Sequence, residues 1–234
     1  MNTSLSTSTP GDALRALARL LCYPDDTLRH HLLDVAEVLS TCSALSPAAR
    51  RGLSGLSAHL LHTDGLDVEA EYVDLFDRGR RTSLHLFEHV HGDSRDRGPA
   101  MIDLRQTYAA AGLYLADGEL PDFLPVVLEF VSTQPPETAR QFLAEMAHIL
   151  NAIHSALTER CSPYAAVIAA TLELAGEPLQ AVALPAEHDV DASWAEPEAF
   201  GGCSAAGQQA PGQPQAIHIV RSQRPAPTPP GAAV

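Results

Sequence analysis

The sequence predicts an all-α fold, a single helical bundle domain with a largely disordered C-terminal tail. Between Asp12 and Gly176 apolar residues recur at three- and four-residue spacing, and no run alternates with the period of two that a half-buried strand requires. Capping residues precede these runs, and prolines or glycines close them. Apolar residues make up 45% of the chain but aromatics only 5%, so the core has to be assembled mainly from Leu, Ala and Val, a mixture that favours helices. A length of 234 residues suits one such domain, expected over residues 12–177, with an arm at 1–11 and a tail at 178–234.

The Ser/Thr-rich arm carries no core-forming residues in series and is expected to be flexible. Asp12 is placed to cap a first helix, in which Leu14, Leu17, Ala18 and Leu21 share a face, and Pro24 stops it. Asp25 or Asp26 caps a second, with Leu28, Leu32, Val35 and Leu39 on one side and His30 and Asp34 on the other, completing a helical hairpin. Ser46-Pro47 is a cap followed by proline at the first helical position, ahead of Leu53, Leu56 and Leu60. Gly52 and Gly55 either weaken this helix or let another helix approach closely. Asp67 begins a fourth segment, whose Val68, Tyr72, Leu75 and Phe76 fall together before Arg78-Gly79-Arg80-Arg81 interrupts it.

From His89 to Arg97 the chain is a polar turn, with Gly92 and Gly98 as breakers. Met101, Leu104, Tyr108 and Ala111 are then spaced for a helix ending near Gly112. Pro121 and Asp122 open the run FLPVVLEFV, where Leu124, Val127, Leu128 and Val131 form a buried face and Pro125 sits early enough to be tolerated. After Gln134-Pro-Pro-Glu137 comes the longest periodic run, with Phe142, Met146, Ile149, Ile153 and Leu157 in one stripe. Ser162-Pro163 repeats the cap-plus-proline device, and Val167, Ile168, Leu172 and Ala175 lead to Gly176. The tail is rich in Pro, Gly, Ala and Gln; within it Trp194 and Phe200 are able to dock back onto the body, and Ile217 to Val220 to form a short extended segment.

Charge and cysteine usage narrow the function. A net charge of −14, from 29 acidic and 15 basic residues, disfavours nucleic acid and anionic membrane surfaces and suits either a basic peptide partner or simple solubility. Cys22, Cys42, Cys161 and Cys203 are scattered, with no C-x-x-C pair, and read as reduced thiols. The N-terminus has no basic region followed by an apolar run, and no segment approaches the length of a membrane span, so a cytoplasmic location is expected. Neither a nucleophile elbow nor a phosphate-binding glycine loop occurs; no cofactor and no catalytic residue are expected.

The densest chemistry lies between Tyr72 and Tyr108. Here His85, His89 and His91 sit among Glu88, Asp93, Arg95, Asp96 and Arg97, with Tyr72, Phe76, Leu84 and Phe87 as apolar anchors. A groove lined by Glu88, Asp93 and Asp96 would pair with arginines of a peptide while the apolar set took up its hydrophobic part. The same apolar set equally suits the core, and the histidines equally suit structural hydrogen bonds that hold the turn. His85-Leu-Phe-Glu-His89 also matches H-x-x-E-H, in which two histidines one helical turn apart bind zinc and a glutamate activates water. A zinc-dependent hydrolase is therefore the alternative class, although it requires a third protein ligand that the sequence does not identify.

The runs Tyr72-Val-Asp-Leu-Phe76, Ser83-Leu-His-Leu-Phe-Glu-His-Val-His-Gly-Asp-Ser-Arg-Asp-Arg-Gly98, Ala100-Met-Ile-Asp-Leu104 and Glu119-Leu-Pro-Asp-Phe-Leu-Pro-Val-Val-Leu-Glu-Phe130 resemble the signature of the NarJ family, dedicated assembly chaperones of respiratory nitrate reductase. The likeness spans roughly Asp12 to Glu177 and fades in the tail. It implies a non-catalytic protein that binds the apo catalytic (alpha) subunit of the reductase through its N-terminal peptide. The client would be held ready for molybdenum cofactor insertion, with transient contact to the cofactor machinery, and released before membrane attachment. On this resemblance the partner-binding set is Tyr72, Phe76, Leu84, His85, Glu88, His89, His91, Asp93, Arg95, Asp96, Met101 and Asp103.

Overall fold

Helix α1 (Pro10–Leu20) packs against the third, eighth and last helices of the bundle, in a computed structural model that describes residues 7–92 and 94–183. Ala13, Leu14, Ala16, Leu17, Ala18 and Leu20 are all buried, and the small residues among them let neighbouring helices come close. Its cap is Thr9 and not Asp12. The Thr9 hydroxyl accepts from the Asp12 amide at 3.1 Å while the Asp12 carboxylate accepts from the Thr9 amide, so the two ends of the first turn satisfy each other reciprocally. These bonds hold the Asp12 carboxyl below its ordinary range.

The expected second helix is two. Helix α2 (Asp26–His30), capped by Asp25, gives way to α3 (Leu32–Thr41) at His31, whose amide bonds to Leu28 three residues back. Helix α4 (Pro47–His62) starts at Ser46 as expected, and Glu173 accepts hydrogen bonds from both the amide and the hydroxyl of that cap. Gly52 lets α4 approach the last helix: a Cβ there would lie 2.9 Å from the Ala166 methyl.

Helix α5 (Gly65–Tyr72) begins at Asp64, earlier than the expected Asp67, because the Asp64 side chain caps the Leu66 amide. It runs on as a π-helical turn, Val73–Asp77, which leaves Tyr72, Leu75 and Phe76 all buried. Tyr72, Phe76 and Tyr164 form an aromatic cluster, and the Tyr72 hydroxyl donates to the Leu21 carbonyl at 2.8 Å. Burial pushes the Tyr72 and Tyr164 phenols well above their usual pKa. A 3-10 turn, Arg80–Thr82, follows.

Short α6 (Leu86–Val90) and α7 (Arg97–Ala110) carry the central stretch; Gly98, expected as a breaker, lies inside the first turn of α7. Then come α8 (Leu124–Ser132), α9 (Pro136–Glu145), α10 (Ala147–Glu159) and α11 (Ala165–Ala175). The long periodic run breaks at Met146, whose amide also turns back three residues. Ser162 caps a turn, through the Tyr164 amide, and α11 starts beyond it. Gly176 ends α11 with φ of 78°, and the Glu177 amide closes onto Leu172.

Beyond α11 the chain does not leave the body at once. Residues 178–182 lie along α10: the Asn151 amide group donates to the Pro178 carbonyl, its oxygen accepts from the Gln180 amide at 2.7 Å, and Ser155 accepts from the Val182 amide at 3.0 Å. Trp194, Phe200, Cys203 and residues 217–220 lie outside the described residues. Among the described residues there is no strand, the one bridge-like pairing being that of His85 with Phe123, and no helix long and apolar enough to cross a membrane. Cys22, Cys42 and Cys161 are free thiols.

Candidate partner-binding site

The central stretch is held to the bundle by a short piece of chain ahead of α8. The Leu86 amide donates to the Asp122 carbonyl at 3.0 Å and the Leu124 amide to the Leu84 carbonyl at 2.8 Å, so residues 84–86 and 122–124 run side by side. Asp122 itself is fully buried. One of its carboxylate oxygens accepts from the Phe87 amide at 3.1 Å and faces the Arg97 guanidinium at 3.7 Å; the other faces His85 Nδ1 at 3.5 Å. A buried carboxylate is tolerated only with such neighbours, because removal from water penalises the charged form heavily. That oxygen and His85 Nδ1 are both left without a well-formed hydrogen bond.

Within α6 the polar groups close on each other. Ser83 donates its hydroxyl to Glu88 at 2.6 Å, His89 Nε2 donates to the Ser83 carbonyl at 2.8 Å, and Arg97 reaches Glu88 at 3.5 Å. His91 ends the helix with its ring edge-on to Phe87. His85 stacks on Phe123 with ring centroids 5.1 Å apart. Through these contacts His85, Glu88 and His89 tie the segment together, while Glu88 remains exposed at its edge. His85 precedes α6 in extended conformation, so it and His89 are not successive turns of one helix as the zinc motif demands. Among the described residues no group of three or more His, Cys, Asp or Glu is placed to hold a metal ion.

The residues proposed from the sequence therefore divide. Tyr72, Phe76 and Leu84 lie in the hydrophobic core. His85, His89 and His91 are half-buried, and Glu88 is exposed at its edge. Arg95 and Asp96 are exposed on the turn into α7, where Ser94 and Asp96 hydrogen-bond each other; Asp93 lies outside the described residues. On α7, Asp103 is exposed and Met101 half-buried. Near them Val90 and Ile102 are apolar side chains left 51% and 59% accessible, enough to offer contact area to a partner.

Helix α7 packs only sparsely on the bundle. Among its residues Tyr108 alone is buried: its hydroxyl donates to the Pro121 carbonyl at 2.8 Å and its ring lies 4.5 Å from that of Phe130. Burial raises its pKa far above the ordinary phenol value. Beneath the α7–α8 connection is a hollow of about 280 Å³ lined by Tyr108, Leu113, Tyr114, Leu115, Val126 and Phe130, with Glu119, Glu129 and Arg15 also on its wall. Sequence reasoning placed Asp122 at a helix start and did not assign it or Tyr108 to the site. The available signal was an aspartate between Pro121 and Phe123 in an otherwise apolar run, with Phe123 and not Asp122 at the cap position.

Residues 42–170 match the family model described as nitrate reductase delta subunit, a span from the approach to α4 into α11 that includes the whole site. The chain is 43% identical over 159 residues to the nitrate reductase molybdenum cofactor assembly chaperone NarJ of Escherichia coli (strain K12), covering 68% of this chain and 67% of that protein. It is 40% identical over 166 residues to the probable chaperone NarW of the same organism, covering 71% and 69%. A probable NarJ of Bacillus subtilis (strain 168) is 30% identical over 65% of this chain and 82% of its own. With more than half its length matched and this degree of identity, the chain belongs to the nitrate reductase delta subunit family, that of the NarJ-type molybdenum cofactor assembly chaperones.

Proposed function

We propose that this protein is the assembly chaperone of a nitrate reductase: it binds the apo catalytic subunit through that subunit's N-terminal peptide, keeps it receptive to molybdenum cofactor insertion, and leaves before membrane attachment. The observation that carries this is the 43% identity to NarJ over two thirds of both chains. The work is done in the cytoplasm, by binding alone. A chaperone that prefers the open client shifts its population by the difference in affinity between the two forms, and no bond need be made or broken.

The surface of α6 and α7 is where we place the client peptide. Glu88, Asp96 and Asp103 supply carboxylates for basic side chains, Met101, Val90 and Ile102 supply apolar contact, and the net charge of −14 favours encounter with a cation. His91 and Arg95 border the same stretch and belong to the proposed surface, while Tyr72, Phe76, Leu84, His85 and His89 support it from beneath.

Calorimetric titration of the full chain with the client's N-terminal peptide tests this. Saturable one-to-one binding is expected, weakened about tenfold or more by Met101→Ala combined with Asp103→Asn, and slower to associate as salt is raised. Absence of binding, or cleavage of the peptide seen by mass spectrometry, would overturn the role.

A further inference from the structure

We propose that Asp122 is the positioning residue of the client surface, a latch that holds α6 and the start of α7 in register; this deepens the chaperone role above and rests on it. Among the described residues, the side-chain partners of the Asp122 carboxylate all come from the segment it would hold: the Phe87 amide at 3.1 Å, His85 at 3.5 Å and Arg97 at 3.7 Å. The carboxylate is fully buried while that segment is docked, so docking withdraws its charge from water and is favourable only because the Phe87 amide and the Arg97 guanidinium take the place of water. Docking and charge burial are therefore one event.

The same short stretch holds the other end of α7. Tyr108 donates to the carbonyl of Pro121, the residue before Asp122, and His85 stacks on Phe123, the residue after it. Between these anchors α7 has no further buried side chain, and glycines of positive φ stand on both sides of it, Gly92 at 51° and Gly112 at 80°. Such glycines turn at little steric expense. Asp96, Met101 and Asp103 ride on this arm and Glu88 on α6 ahead of it, so their relative placement depends on three consecutive residues, of which Pro121 and Asp122 are buried.

Amide hydrogen exchange on the intact protein tests the latch without any client present. Arg97→Gln leaves a buried carboxylate short of its cation, and exchange over residues 86–101 should rise about tenfold, while Asp122→Asn removes the charge itself and should raise it only severalfold. The double variant should return to the level of Asp122→Asn alone, because the unpaired charge is gone. Helices α1, α8 and α11 should exchange as in the wild type throughout. Additive effects in the double variant, no change over 86–101, or a rise spread evenly over all helices would overturn the proposal. Peptide titration separates the two ideas: a wild type that binds no client peptide ends the chaperone role and leaves the latch to be judged by exchange, whereas a client-binding wild type with unaltered exchange in Asp122→Asn ends the latch.

Discussion

Replacing Tyr108 should loosen one helix and leave the bundle standing. The ring is 1% exposed and lies against Phe130, and truncation of a buried aromatic to alanine typically removes about 3–5 kcal/mol. Its hydroxyl satisfies the Pro121 carbonyl at 2.8 Å, and Tyr108→Phe, which leaves that carbonyl unpaired, isolates a share of about 1–3 kcal/mol. Because no other side chain of α7 is buried, the loss in Tyr108→Ala should fall on α7 itself. Amides of residues 97–110 should approach the exchange rates of an unstructured peptide, while the denaturant midpoint, set by the core around α1, α8, α10 and α11, moves little. Tyr108→Phe should give a partial version of the same pattern. If Tyr108→Ala instead lowers the midpoint of the whole protein in step with α7 exchange, then α7 is a cooperative part of the bundle and not an arm pinned at its ends.

Other outcomes follow from the close contacts and the titrating groups. Gly79→Ala would bring a Cβ within 2.6 Å of the Leu75 carbonyl and closer still to the Thr82 hydroxyl, so the turn joining the π and 3-10 segments must shift; a loss of about 2 kcal/mol or more in denaturant unfolding is expected, and a neutral result would show that the turn is pliable. Thr9→Ala removes the reciprocal cap of α1 and should cost about 1 kcal/mol near neutral pH. Asp12 has a lowered folded pKa, so its contribution is present above the unfolded carboxylate value and is lost as pH falls through the folded one; in Thr9→Ala the acid side of the stability curve should flatten, and an unchanged slope would count against the cap. Burial lowers the pKa of His154 from its usual 6.5, which makes protonation destabilising: stability is full above that value and declines as pH falls through the folded pKa. His154→Leu should remove this decline, measured as thermal midpoint against pH.

Much of the fold was legible because helices write their buried faces into local spacing. Leu14, Leu17, Leu53, Leu56, Leu60, Val127, Ile153 and Leu157 were all predicted from periodicity, and all are buried. Caps that depend on neighbouring residues were legible too: Ser46 before Pro47 and Gly176 after α11 act as expected. The breaks at His31 and Met146 were not, since each occurs inside an unbroken apolar stripe and amounts to a change of hydrogen-bond register that no residue type announces.

By itself the sequence determined that this is a helical protein, where most of its apolar faces lie, and, through the run from Ser83 to Gly98 with its neighbours, the family to which it belongs. Only the tertiary structure decided which of those residues are core and which are surface. Tyr72, Phe76 and Leu84 are apolar at positions that suit a groove as well as an interior, and spacing along one chain cannot say what covers a face. Nor can it pair Asp122 with His85 and Arg97, which lie 37 and 25 positions away along the chain. Their association arises when burial of the helix faces brings distant backbone together, and a carboxylate withdrawn from water then takes the cation and amide within reach.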